Sequence, residues 1–229
     1  MPKKIIKPVL SAQEAVKCVK RGDSVMVGGF NYGGIPYTLT DALYDQGTDQ
    51  LTLISNDTIY EFCGQGKLVA GGRCKKVIAS HVGLNKTTGR LFHEGKMELE
   101  LFPQGTYVEK IRAGGAGLGG FLTPTGVGTV VEDGKKVLEV GGKKYILELP
   151  LTADVALIRA FRADRMGNLT YTGTNKNFNP TMATAAKIVI AEVDEVVNVG
   201  ELDPNNIATQ GILVDMLVLK GDSVYASRT

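Results

Sequence analysis

The chain has 229 residues, 43% hydrophobic and 22% charged, with a formal net charge of +2. These values exclude a disordered, collagenous or coiled-coil chain, and the length fits one α/β domain, residues 1–229, better than two. A near-neutral balance leaves no footprint for nucleic acid or an anionic membrane surface, and no apolar run reaches the ~18 residues of a membrane span.

The start, Met1–Lys7, is basic but is followed by no apolar run of signal-peptide length, and Lys3, Lys4 and Lys7 read as a solvated face. Cys18, Cys63 and Cys74 are odd in number and widely spaced, which argues against a disulfide framework and for a reducing, cytoplasmic setting. Ser11 followed by Glu14 forms a capping-box pattern, so Ser11–Arg21 is predicted as an amphipathic helix ended by Gly22. Ser24–Val27 reads as a buried strand that runs into Gly28-Gly29-Phe30-Asn31-Tyr32-Gly33-Gly34-Ile35-Pro36, and Pro36–Gln46 has helical character.

Leu51–Ile54 is a second strand with Asn56-Asp57 directly after it; Lys76–Ala79 and Met97–Phe102 are two more, and Thr106–Ala113 reads as a helix. Strands alternating with helices predict a mostly parallel sheet flanked by helices on both faces. The middle differs: Glu132–Lys136 and Gly141–Lys144 look like hairpin turns around strands Val137–Val140 and Tyr145–Leu149, a β-rich insert within the domain. Asp154–Ala160, Lys187–Ala191 and Val214–Val218 return to buried-strand patterns.

The loop Gly28–Pro36 is the most informative local feature. Its four glycines between a strand and a helix let the backbone approach a ligand, with the first helical amides free to donate to an anion; tight packing alone is the competing explanation. Asn56 and Gln104 also follow strands closely, so all three elements can meet at one sheet rim, where neutral donors and acceptors position a carboxylate or thioester carbonyl.

Other motifs lack their context. Gly115–Gly120 spells G-x-G-x-x-G, but a helical pattern precedes it where a strand is needed. There is no P-loop and no nucleophile elbow, and His81, His93 and Cys74 fit no metal spacing. Glu61, Glu94, Glu109, Glu132 and Glu192 are conceivable acids, yet none sits in a setting that marks an activated nucleophile.

Read together, several segments carry a resemblance. Val25–Phe30 through Gly34-Ile35-Pro36, Phe102–Thr106, Ile111–Gly117, Phe121–Thr129, Gly167–Tyr171 and Asn177-Phe178-Asn179-Pro180 occur in the order seen in family I CoA-transferases. The chain resembles their α subunits over nearly its whole length, above all the acetate- or butyrate-acetoacetate type. The resemblance implies a fold shared with ribose-phosphate isomerases and glucosamine-phosphate deaminases. It implies that Gly28, Gly29, Phe30, Asn31, Tyr32, Gly33 and Gly34 bind coenzyme A and that Asn56 and Gln104 line the active site. Asn56-Asp57 departs from the Asn-Asn pair of succinate-specific relatives. The family's nucleophilic glutamate lies on a β subunit, and no segment here resembles its surroundings. The resemblance therefore implies no catalytic residue in this chain, no metal, and an α2β2 partner assembly acting on acetoacetate, acetate or butyrate and their CoA thioesters. A non-catalytic acyl-CoA binding protein, or a one-chain sugar-phosphate isomerase or deaminase on the same fold, are the rival readings.

Overall fold

The structure, a computed structural model, describes residues 5–221. In chain order its strands and α-helices are β1 (Val9–Leu10), α1 (Ala12–Ala15), β2 (Ser24–Val27), α2 (Tyr37–Gln46), β3 (Leu51–Ser55), α3 (Gly64–Ala70), β4 (Cys74–Ala79), α4 (Lys86–His93), β5 (Glu98–Leu101) and α5 (Gln104–Gly115). There follow β6 (Phe121–Thr123), β7 (Val137–Val140), β8 (Lys143–Glu148), β9 (Ala153–Arg159), β10 (Arg162–Asp164), β11 (Leu169–Thr170), α6 (Asn179–Thr184), β12 (Ala186–Val193), β13 (Glu195–Val197) and β14 (Met216–Leu219).

Eight strands form the central sheet in the order β1-β14-β12-β9-β2-β3-β4-β5, and every neighbouring pair is parallel. Covering both faces of a parallel sheet requires near-continuous apolar strands, because alternate side chains enter opposite cores. Val25, Val27, Leu53, Val77, Val155, Leu157 and Ile190 pack with Leu39 and Leu43 of α2 and Leu68 of α3. Met26, Ile54, Ile78, Ala156, Ile158 and Val189 pack with Tyr107 and Ile111 of α5 and Met182 of α6. The predicted α/β layering is therefore what the chain adopts.

The insert is a three-stranded antiparallel sheet with β8 in the middle, between β6 and β7. Gly141 and Gly142, at φ 59° and 76°, make the two-residue turn between β7 and β8, as a primed hairpin requires. Glu132–Lys136, in contrast, is not a hairpin turn: β6 and β7 do not pair with each other, and Val130–Glu132 is a 3-10 turn whose Glu132 carboxylate accepts from Gly128 N–H. The insert is tied to α5 by Glu148, which accepts from the Lys110 ammonium at 2.9 Å and the Lys135 ammonium at 2.5 Å.

The first helix is shorter than the predicted Ser11–Arg21. The capping box between Ser11 and Glu14 is present, but α1 gives way to a 3-10 turn at Val16–Cys18 and the chain is extended at Val19. Val19 leaves helical geometry to bury its side chain in the core, and the freed ends are taken locally: Lys20 N–H donates to Asp23 and the Lys20 ammonium to Lys17 O. Ser11→Ala is expected to lose about 1 kcal/mol of stability, the usual worth of such a cap, read as a lower urea midpoint at unchanged slope.

Lys3 and Lys4 lie outside the described residues, whereas Lys7 is buried instead of solvated. Its backbone N–H bonds Arg165 O, and its stem lies against Gly167, where an added Cβ would come within 2.9 Å of Lys7 Cγ. The three thiols are unpaired. No helix among the described residues is long and apolar enough to cross a membrane.

Candidate active-site rim

Sheet order locates the site. From β2 the chain adds β3, β4 and β5 on one side, and later β9, β12 and β14 on the other, so β2 and β9 flank the point where strand order reverses. In open α/β sheets, ligands sit beyond the carboxyl ends of the strands at such a point. The glycine loop leaves β2 there, with Gly28 N–H on Leu157 O at 2.9 Å. Phe30 and Gly33 then exchange two 3.0 Å backbone hydrogen bonds around the tip Asn31-Tyr32, with Asn31 at φ 52°.

The glycines meet protein on their Cα faces. A Cβ on Gly28 would lie 1.8 Å from Asn179 Oδ1, and one on Gly34, at φ 72°, 2.5 Å from Asn175 O. Asn179 is fully buried; its amide donates to Gly34 O and Asn175 O, and its carbonyl accepts from Arg159 N–H. Asn177 donates to Gly33 O at 3.0 Å. Tight packing thus accounts for Gly28 and Gly34, and the side chains left facing outward are Phe30, 48% exposed, Asn31 and, in part, Tyr32.

Asn56 follows β3 and is buried. Its Oδ1 accepts from Ser80 Oγ at 2.9 Å and its Nδ2 donates to Asp57 Oδ2 at 3.1 Å, leaving one amide hydrogen uncommitted. Asp57, also buried, takes four hydrogen bonds. Oδ2 accepts from Asn31 N–H and Asn56; Oδ1 accepts from Ile59 N–H at 2.9 Å and, weakly, from Gln65. Ile59 stands at φ 37°, a region that a β-branched residue enters only under outside constraint. Beside these two constrained residues, Tyr32 stacks on Tyr60 at 5.5 Å and Tyr60 on Phe62 at 5.6 Å.

Gln104 is the first residue of α5 and its side chain is exposed. The glycine loop, Asn56 and Gln104 therefore follow β2, β3 and β5 along one rim, and β3 and β5 lie two strand spacings apart, about 10 Å. No hydrogen bond among the described residues joins Gln104 to the other two. One turn into α5, Tyr107 is fully buried with no partner for its hydroxyl; burial, then the Asp57 charge, push that hydroxyl well above the ordinary tyrosine range. Sequence reading missed Tyr107 and the donors gathered by Asp57. The position of Tyr107 three residues after Gln104 was the available signal.

The candidate acids are engaged elsewhere. Glu61 accepts from Thr87 N–H, Glu94 pairs with Arg90 and Lys96, and Glu109 pairs with Arg112. Glu192, fully buried at the end of β12, accepts from Leu39 N–H at 3.0 Å and so caps the helix that follows the glycine loop. Burial pushes its carboxyl up to about 7, against the Arg159 charge and the donors of Leu39 and Thr38. His81 and His93 are exposed, and His81 N–H donates to Asn56 O. Among the described residues no group of three or more His, Cys, Asp or Glu could hold a metal ion.

A profile of the Coenzyme A transferase family matches residues 9–220. The chain is 51% identical to the alpha subunit of the acetate CoA-transferase of Escherichia coli K12, over 94% of this chain and 98% of that one. It is 49% identical to one subunit of the probable succinyl-CoA:3-ketoacid coenzyme A transferase of Bacillus subtilis 168, over 93% and 90%. Among solved structures it is similar to an acyl-CoA transferase from Escherichia coli O157:H7 in thioester complex with CoA, at TM-score 0.86 and 27% identity, covering 96% of this chain. The match spans only 48% of that longer chain, about half its length. With a parallel sheet, a glycine loop at its switch point and a family profile that runs from β1 to past β14, this chain belongs to the coenzyme A transferase family.

Proposed function

We propose that residues 1–229 form one domain, the α half of an acyl-CoA:carboxylate CoA-transferase, and that a β subunit completes it in the cytoplasm as an α2β2 enzyme. One observation carries the reading. A polar rim follows β2, β3 and β5 beside the switch point, while each acid of the chain singled out above is occupied by another partner. The relatives named as subunits, and the solved relative that is twice as long, support a missing half.

In this reading Gly28–Gly34 holds the CoA portion, through the exposed tip Phe30-Asn31-Tyr32, and Asn56 and Gln104 orient the carbonyl or carboxylate oxygens. A glutamate from the β half of the enzyme attacks the acyl-CoA carbonyl, the C–S bond breaks, and an acyl-glutamyl anhydride and CoA thiolate result. The thiolate attacks the glutamyl carbonyl, which releases the carboxylate and leaves a glutamyl-CoA thioester. The incoming carboxylate reverses both steps, so the kinetics are ping-pong. Binding energy from the distant CoA portion is available to stabilise the transition states at the thioester.

Acetate, butyrate and acetoacetate are the proposed carboxylates. Asp57 places a negative charge beside Asn56, which disfavours a second carboxylate such as succinate carries. The test is CoA transfer from acetoacetyl-CoA to acetate, butyrate or succinate, by the chain alone and with its co-expressed β partner. Activity in the mixture alone, with parallel ping-pong lines and succinate the poorest acceptor, is the expected result; activity in the chain alone sinks the reading. Gln104→Ala is expected to lower kcat at least about tenfold with assembly intact, as loss of one positioned donor does.

A further inference from the structure

Among the described residues, three besides glycine have a left-handed backbone: Asn31, Gln50 and Ile59. Two of them, Asn31 and Ile59, donate their N–H groups to opposite oxygens of the same carboxylate, Asp57, both at 2.9 Å. They belong to different loops, one after β2 and the other after β3, and the same carboxylate also holds the Asn56 amide. No lysine, arginine or histidine of the described residues forms an ion pair with Asp57. The buried charge is met by N–H dipoles, which are directional and fix the positions of their owners. The residues that follow, Tyr32 and Tyr60, are thereby stacked.

We propose that Asp57 is a positioning residue for CoA, clamping the tip of the glycine loop to the rim that carries Asn56. The proposal rests on the reading of Gly28–Gly34 as the CoA loop. Asp57 acts through Asn31 and Ile59 and does not itself touch the thioester. Alanine removes both acceptor oxygens. Asparagine, of the same size, keeps one and turns the other into a donor that faces a donor, so the two variants form a graded pair.

The experiment compares the wild-type αβ complex with D57N and D57A complexes by two readouts. The first is steady-state CoA transfer with acyl-CoA and carboxylate varied separately; the second is hydrogen–deuterium exchange over residues 29–34 and 57–63. Expected is a rise in KM for acyl-CoA of about tenfold in D57A and less in D57N, as loss of charge-assisted hydrogen bonds gives, with KM for the carboxylate within about twofold. Faster exchange in both segments should accompany it. If D57A does not assemble, D57N carries the comparison. A general structural role would instead lower kcat and shift both KM values together, which overturns the proposal, as does wild-type KM for acyl-CoA in D57N with unchanged exchange. An inactive wild-type complex removes the reading of the loop and the proposal with it; an active one with an unaltered D57N removes the proposal alone.

Discussion

Gly28→Ala is expected to destabilise the chain by about 3 kcal/mol or more, the upper range for overpacking a filled core. The added methyl would stand 1.8 Å from Asn179 Oδ1, and Asn179 has nowhere to go. Its side chain is fully buried and pinned by three backbone groups: Arg159 N–H, Gly34 O and Asn175 O. Either those hydrogen bonds break, stranding buried polar groups, or β2 moves away from β9 where Gly28 N–H bonds Leu157 O. The partner substitution identifies which contact matters. Asn179→Ala should itself destabilise by about 1–3 kcal/mol through the unpaired backbone groups it leaves. Combined with Gly28→Ala, it should destabilise by clearly less than the sum of the two, since the clash is gone. Denaturant midpoints of the four proteins measure this. Additive losses would show that the alanine methyl is resisted by something other than Asn179.

Glu192→Gln is expected to change the pH dependence of stability by about 3 kcal/mol between pH 4.5 and 7. Burial raises the folded carboxyl from 4.5 to about 7. Below 4.5 the group is protonated in both states and contributes nothing. Between the two values the folded chain holds a proton that the unfolded chain has released, so stability falls as pH rises, by about 1.4 kcal/mol for each unit. Above 7 both states are ionised and the loss is complete. The groups facing Glu192 are Arg159, which also pairs with Asp194, and the donors of Leu39 and Thr38; Lys220 reaches Asp194 in turn. Glutamine does not titrate, so subtracting its stability curve from that of the wild type isolates this residue. The difference should move in favour of glutamine as pH rises to about 7 and stay level beyond it. A flat difference curve would mean that Arg159 compensates the buried charge at every pH.

The legible part of this fold was the part that physics writes locally. Val25–Val27, Leu51–Ile54, Asp154–Ala160 and Lys187–Ala191 read as strands because burial on both faces demands apolar runs. Helix α3, in contrast, begins Gly64-Gln65-Gly66 with no side-chain cap, and only tertiary packing makes it helical. Helix α6 is six residues long, too short for a periodic face to show. The glycine loop was visible as a strand–glycine–helix unit, and the Asn177–Asn179 segment as a motif, but their union was not, because no local rule connects residues so far apart. Asp57 was visible only as the neighbour of Asn56. Its four donors come from Asn31, Asn56, Ile59 and Gln65, two loops and a helix that meet only in the folded chain.

The strand order also dictates a timetable for synthesis. Strands β2 to β5 are consecutive in sequence and in space, so half the sheet can pair once residue 101 has emerged from the ribosome. The inner edge of β2 then waits, an open hydrogen-bonding template, until β9 arrives at Ala153. The glycine loop waits longer, because its packing partners Asn177 and Asn179 come later still. Val9 finds its neighbour Leu217 last of all. A nascent chain stalled between residues 101 and 153 would carry a central strand with one edge open, the stage at which it most needs a chaperone.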